Sequence, residues 1–183
     1  PNRENYSYWN GSIPWIKTGE LQNALIQESE EFITQTALEE TSVQLYPAGT
    51  ILMAMYGQGK TRGMTGLLAI ESTTNQACAA IQVYTADDVH CIWKALIAGY
   101  DAIRDVALGS GQPNLNADIV GNFHIPLPTS PDEQRAIVAY LDAKTAEIDS
   151  LIDANQQMTD KLREYRRSLI SEAVTGKFKV PGI

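Results

Sequence analysis

Leu141, Ile148, Asn155, Leu162 and Leu169 stand seven residues apart along the last third of the chain. A seven-residue repeat of this kind keeps one seam of an α-helix turned toward a partner helix. Ser130 suits the capping position, Pro131 the first helical position, and Glu133 completes a capping box. Gly176 closes the segment. From Pro131 to Thr175 the pattern predicts one helix of about 45 residues, roughly 68 Å long. Val138, Thr145 and Ile152 flank the line on one side, and Leu151, Met158 and Tyr165 on the other. The stripe is wider than a two-stranded seam needs, as expected where more than one surface packs on it. A helix this long cannot bury its stripe against a compact domain alone. The spacing therefore predicts pairing with another helix through Leu141, Ile148, Ile152, Asn155, Leu162 and Leu169. Such a chain reads as a positioning device rather than a self-contained enzyme. Asn155, polar at the centre of the line, either fixes register at a cost in stability or simply reaches solvent. Arg163, Arg166 and Arg167 read as a solvated face suited to the negative end of the helix.

The residues ahead of this helix have a different pattern. Ile13 to Ile16 reads as a short buried strand, with Lys17-Thr18-Gly19-Glu20 turning out of it. Glu28 to Glu40 is polar and reads as irregular, with a short helix near Thr36 to Glu40. Ser42 to Tyr46, Thr50 to Tyr56, Gly66 to Ile70 and Gln76 to Tyr84 read as strands. Ala86-Asp87-Asp88 starts a helix whose buried face is Val89, Ile92, Trp93, Leu96 and Ile97. Gly109 to Asn114 is a loop, Ile119 to Leu127 returns a strand, and Pro126 and Pro128 stop the domain. The expectation is an α+β chain. Residues 1–129 form a mixed small β-sheet domain with packed helices, and residues 130–183 form one long coiled-coil helix.

Charge and composition narrow the function. The chain carries 14 basic and 22 acidic residues, a formal net charge of −8. Of the basic residues, only Arg3, Lys17, Lys60, Arg62, Lys94 and Arg104 precede Ser130, so the N-terminal part is the acidic part. A broad nucleic-acid surface is excluded, and DNA binding would need a local patch. Cys78 and Cys91 lack metal spacing and read as buried, reduced thiols of a cytoplasmic chain. His90 and His124 have no ligand-like company, so no metal site is expected. No apolar run approaches the roughly 18 residues that span a bilayer. The chain starts at Pro1 without a signal peptide, and further sequence upstream is expected.

Gly57-Gln58-Gly59-Lys60-Thr61-Arg62-Gly63 is the segment closest to a functional motif. With Ala54 it fits a permissive phosphate-loop pattern, yet such a loop must lead into a helix N-terminus. Here a glycine-rich turn and a strand follow, which argues against nucleotide hydrolysis. The same residues suit DNA: Lys60 and Arg62 are a close basic pair in an acidic domain, and Gln58 and Thr61 add neutral donors and acceptors. The plain alternative is a glycine-rich hairpin with solvated tips. Asn75-Gln76 and Gln112-Pro113-Asn114 read first as loop-stabilising residues, Asp87-Asp88 as a helix start, and Glu30-Glu31 as a solvated run. No catalytic triad or paired-carboxylate arrangement stands out.

Taken in order, several segments are more specific than any one of them. These are Ile13-Pro14-Trp15-Ile16-Lys17-Thr18-Gly19-Glu20-Leu21, Thr73 to Ala80, Gln112 to Leu115, Ile125 to Pro128, Glu133-Gln134-Arg135 and Leu169 to Gly176. Together they resemble the specificity subunit of type I restriction–modification enzymes, over nearly the whole chain. A typical member has two target-recognition domains, each followed by a long helix, and this chain matches one such half. The resemblance implies that residues 1–129 read one half of a split double-stranded DNA target. It implies that the long helices pack antiparallel, separate the two recognition domains and dock methyltransferase subunits. S-adenosylmethionine would then sit on those subunits and ATP on a separate restriction or motor subunit, with no cofactor and no catalysis here. DNA contacts are expected from Lys60, Arg62, Gln58 and Thr61, with Lys17 and Thr18 added by the recognition pattern. A lone half would form a homodimer through its helix. The competing reading is a coiled-coil adaptor whose globular head binds protein.

Overall fold

A computed structural model describes residues 1–57, 59–85, 87–109 and 114–177. Its strands are β1 (Trp9–Ile16), β2 (Ala24–Ile26), β3 (Glu31–Ile33), β4 (Leu45–Tyr46), β5 (Ile51–Ala54), β6 (Thr65–Leu68), β7 (Ser72–Thr74) and β8 (Cys78–Ile81). Its α-helices are α1 (Gln35–Glu40), α2 (Val89–Ala98), α3 (Tyr100–Gly109), α4 (Ala117–Gly121) and α5 (Pro131–Val174). The expected mixed small β-sheet architecture is present as two four-stranded mixed sheets, ordered β3-β1-β7-β4 and β2-β6-β5-β8. The chain divides into two compact units, Pro1–Val138 and a second that begins at Ala139.

β5 explains why one apolar run has no polar alternation: all four of its residues are buried. Ile51 and Met53 pack with Leu67, Trp93, Leu96, Ile103, Ala107 and Leu115, the core shared with the helices. Leu52 and Ala54 turn the other way, onto Ile16, Leu21, Ile26, Leu68 and Cys78. A strand covered on both faces reads as a continuous hydrophobic segment. Burying four such side chains contributes on the order of 1.5–3 kcal/mol for each of the larger ones. A third cluster holds Trp15, Ile33 and Ala37, with Trp9 packed against it. There Trp9 meets Trp15 edge-on at 5.8 Å, and Arg3 lies over the Trp9 ring at 4.0 Å.

The hydroxyl of Thr65, buried at the start of β6, is paired. Thr65 Oγ1 accepts the Trp93 indole N–H at 2.9 Å and donates to Asn23 Oδ1 at 3.0 Å. The same Asn23 oxygen accepts the Thr65 amide at 2.9 Å. Asn23 adopts φ +56, which its short side chain tolerates better than most. This knot ties β2, β6 and α2 before any apolar packing is counted.

Several expectations change. Glu28 to Glu40 is not irregular ahead of its short helix: β3 forms there and pairs antiparallel with β1, Trp15 opposite Glu31. Its Glu31 bonds Lys17 and lies 2.6 Å from Arg3, so Glu30-Glu31 is not a merely solvated run. α1 follows as expected, capped by the Thr34 hydroxyl. Ile119 to Leu127 is not a strand. Asn116 Oδ1 accepts the Ile119 amide at 2.8 Å and caps α4, and the segment beyond it is irregular. Pro126 and Pro128 lack the N–H that a strand ladder needs there. α3 had no counterpart in the sequence reading. Cys78 and Cys91 are buried free thiols, as expected.

The seven-residue line does lie on one helix. α5 has 44 residues, about 66 Å of rise. Its end is a Schellman turn: the Lys177 amide reaches the Glu172 carbonyl at 2.9 Å and the Gly176 amide the Ala173 carbonyl at 3.3 Å. Gly176 takes φ +73, the left-handed conformation such a turn requires. The last turn holds no basic residue. Arg163, Arg166 and Arg167 sit too far back for the end-of-helix dipole, which fades within one turn.

Candidate nucleic-acid interface

Strand register gathers the suspected segments at one end of the second sheet. β5 ends at Ala54 opposite Cys78, where β8 begins. β6 begins at Thr65 opposite Met53, and β2, parallel to it, begins at Ala24 opposite Gly66. The Lys17–Asn23 connection, the loop between β5 and β6, and the Asn75–Ala77 turn therefore leave from the same edge. Leu115 joins them, its amide bonded to the Met55 carbonyl at 3.0 Å. Residues nearly 100 positions apart thus share one rim.

The β5–β6 loop is held from behind by α3. Arg104 donates through Nη1 to the Arg62 carbonyl at 2.7 Å and through Nη2 to the Gly59 carbonyl at 3.0 Å. The Tyr100 hydroxyl donates to the Lys60 carbonyl at 2.7 Å, and the Arg104 guanidinium stacks 4.9 Å from the Tyr100 ring centre. The Met64 amide takes the Thr61 carbonyl at 3.0 Å. Gly63, at φ +86, lets the chain pass against this helix. A Cβ there would stand 3.3 Å from Arg104 Cγ.

Lys60 is exposed, and Thr61 and Arg62 are half-buried. Neither Lys60 nor Arg62 has an ion-pair partner among the described residues, and Arg62 Nε is buried without an acceptor. Gln58 lies outside the described residues, as do Gly111, Gln112 and Pro113. The strand β6 follows the loop, so the helix N-terminus that a nucleotide phosphate loop requires is missing.

Lys17 reaches the same edge in a different electrostatic state. Its ammonium bonds Glu30 at 2.9 Å and Glu31 at 3.0 Å. Those two carboxylates, Glu30 first, push the Lys17 pKa up. Glu20 closes the turn by accepting the Lys17 amide at 2.8 Å and the Glu30 amide at 3.1 Å. Thr18 is half-buried in that turn, its carbonyl taken by the Leu21 amide. Asn75 behaves as a loop residue: its Oδ1 accepts the Ala77 amide at 3.0 Å. Burial pushes the nearby Cys78 thiol up to about 11, which keeps it protonated and inert.

One buried side chain escaped sequence reasoning except as part of a motif. Gln134, in the first turns of α5, has no exposed surface. Its Oε1 accepts the Asp88 amide at 2.7 Å, and its Nε2 donates to Asp87 Oδ1 and the Pro128 carbonyl, both at 2.8 Å. Asp88 in turn caps α2, accepting the His90 and Cys91 amides at 2.9 and 3.1 Å. Gln134 thus clamps the start of α5 to the start of α2. Its signal in the sequence was a lone amide in an otherwise charged first turn.

Farther along α5, Leu141, Ile148, Ile152, Leu162 and Leu169 are exposed, between 36% and 60%. Asn155 is exposed as well, and its carbonyl accepts the Thr159 hydroxyl. The surface pairs Lys144–Glu147 and Arg163–Asp160 contribute little each, as exposed ion pairs do. Among the described residues no cluster of three or more His, Cys, Asp or Glu could hold a metal ion. No helix among them is long and apolar enough to cross a membrane.

Comparison with known proteins gives this geometry a context. The chain is similar to the type I restriction enzyme MjaIX specificity subunit of Methanocaldococcus jannaschii, at 29% identity over 178 residues, 92% of this chain and 38% of that protein. It is similar to the EcoR124I/EcoR124II specificity subunit of Escherichia coli, at 26% identity over 176 residues, 93% of this chain and 44% of that one. It therefore spans less than half the length of these relatives. A solved structure described as the basis of complex assembly and conformational transition of the type I R-M system shares the fold. Its TM-score is 0.76 at 16% identity, over 94% of this chain and 41% of that one. The profile of the type I restriction modification DNA specificity domain matches residues 2–160, and the chain belongs to that family.

Proposed function

We propose that this chain reads one half of a bipartite double-stranded DNA target and positions that reading within a type I restriction–modification complex. Residues 1–129 are the recognition head, and residues 130–183 are the spacer. Lys60, Arg62, Thr61 and Gln58 contact the duplex, with Lys17 and Thr18 at the margin of the same rim. The exposed stripe through Leu141, Ile148, Ile152, Asn155, Leu162 and Leu169 pairs with a second copy, giving a homodimer of half-subunits. The helix pair docks methyltransferase subunits, which carry S-adenosylmethionine, and through them a restriction or motor subunit that uses ATP. The chain itself catalyses nothing.

The family match over residues 2–160 carries this reading. Physical support comes from the rim, where an unpaired cationic loop stands out in an acidic chain. A spacer of about 66 Å is nearly two turns of duplex, at about 34–36 Å per turn. Two heads held by paired spacers could engage two half-sites at fixed separation. Duplex titrations of the chain with methyltransferase subunits test the proposal. Binding that weakens steeply with salt is expected, and indifference to DNA would contradict it. Light scattering tests the pairing separately: a chain that stays monomeric at high concentration removes the homodimer.

A further inference from the structure

Building on the DNA reading above, we infer that the Gly59–Arg62 loop is a clamp for a backbone phosphodiester of the duplex and does not read bases. All four carbonyls of this loop are engaged. Gly59 and Arg62 accept from Arg104, Lys60 accepts from Tyr100, and Thr61 accepts from the Met64 amide. The four amides of the same residues have no partner among the described residues. α3 thus withdraws three of the four main-chain acceptors, the Met64 amide withdraws the fourth, and the donors are left.

The side chains repeat the bias. The Lys60 ammonium and the Arg62 guanidinium are donors only. In the major groove every base pair presents a donor beside its acceptors, whereas a phosphodiester offers acceptors alone. A surface of amides and cations with its acceptors turned inward is complementary to the phosphate. Lys17 illustrates the contrast, because Glu30 and Glu31 already neutralise it. A free nucleotide is the weaker occupant, since β6 rather than a helix follows the loop.

In this arrangement Tyr100 and Arg104 are positioning residues. They touch no nucleic acid, yet they fix which way the loop's peptide groups face. Base reading then belongs to other segments of the rim, and the loop sets the register of the head on the duplex.

Anisotropy titrations across salt test this, with target and non-target duplexes and the chain bound to methyltransferase subunits. Each phosphate contact contributes about 0.9 to the logarithmic salt slope. Lys60→Ala and Arg62→Ala should each lower the slope by about that much and weaken both duplexes equally. Together they should shrink the loss of affinity between about 50 and 200 mM salt by roughly 12-fold. Tyr100→Phe keeps the packing and removes only the hydroxyl. It should weaken target and non-target duplexes by one common factor, with the melting temperature little changed. A single uncharged methylphosphonate, scanned along the duplex, should find one position whose penalty disappears in the Lys60→Ala, Arg62→Ala double variant. An altered base preference with an unchanged slope would overturn the clamp while leaving the DNA reading intact. Displacement of the duplex by ATP or pyrophosphate at matched ionic strength would reassign the loop to free phosphates. No duplex binding by the unmodified complex would sink the DNA reading itself.

Discussion

Replacing Gln134 with Leu keeps the volume and removes every polar atom of a side chain that has no exposed surface. Three partners lose their bonds: the Asp88 amide, the Pro128 carbonyl and the Asp87 carboxylate. Leaving a buried main-chain group unsatisfied costs about 1–3 kcal/mol. Asp88 and Pro128 are only half-buried, so the lower half of that range applies to each. Their combined cost is about 2–4 kcal/mol, and the Asp87 carboxylate, still bonded to the Thr85 hydroxyl, is left out of this sum. For a chain of this size such a loss lowers the melting temperature by roughly 4–16 °C. Differential scanning calorimetry and urea unfolding read it directly.

A second readout isolates the clamp from general damage. The Thr85 hydroxyl first, and the Gln134 amide second, hold the Asp87 carboxyl below its ordinary value of 3.8. A depressed carboxylate stabilises the fold above the unfolded value and loses that contribution as pH falls through the folded one. In Gln134→Leu the Asp87 midpoint, followed by NMR, should move upward toward 3.8. A variant within about 0.5 kcal/mol of the parent, with an unmoved Asp87, would refute the clamp.

Asn155→Leu should tighten self-association by about tenfold or more, since a buried Leu adds about 1.5–3 kcal/mol. It should also loosen register, visible as mixed orientations in cross-linking. Unchanged assembly would leave Asn155 as a solvent-facing residue. Burial that lifts the Cys78 thiol to about 11 predicts negligible modification by a thiol reagent at pH 8 in the native chain. The same raised value means that the stabilisation from Cys78 is complete below the unfolded value of 9.0 and fades as pH rises toward about 11. Rapid labelling of Cys78 without unfolding would contradict both statements.

The parts of this molecule legible in sequence are those with a local cause. The heptad line, Pro131 at the first helical position and Gly176 beyond the end specify α5 without reference to the rest of the chain. Asp88 before α2 is a capping residue recognisable from composition and spacing. β5 was visible because burial on both faces removes any alternation. What was hidden depends on partners distant in sequence. β3 is polar and short, and forms because β1 and Lys17 wait for it. The segment 119–127 is rich in strand formers, but Asn116 caps a helix at its start. The basic loop was found by its charges, yet its orientation depends on Tyr100 and Arg104, about 40 residues downstream in a helix that the periodicity did not reveal.

Recognition of a particular DNA half-site by this head is open to direct measurement. Selection of duplexes from a random pool, using the chain together with methyltransferase subunits, tests it most directly. The expected result is enrichment of one short half-site, or of two inverted copies at a fixed spacing if the helices pair two identical chains. Recovery of a pool with no enriched sequence, from a complex that still assembles, would contradict it.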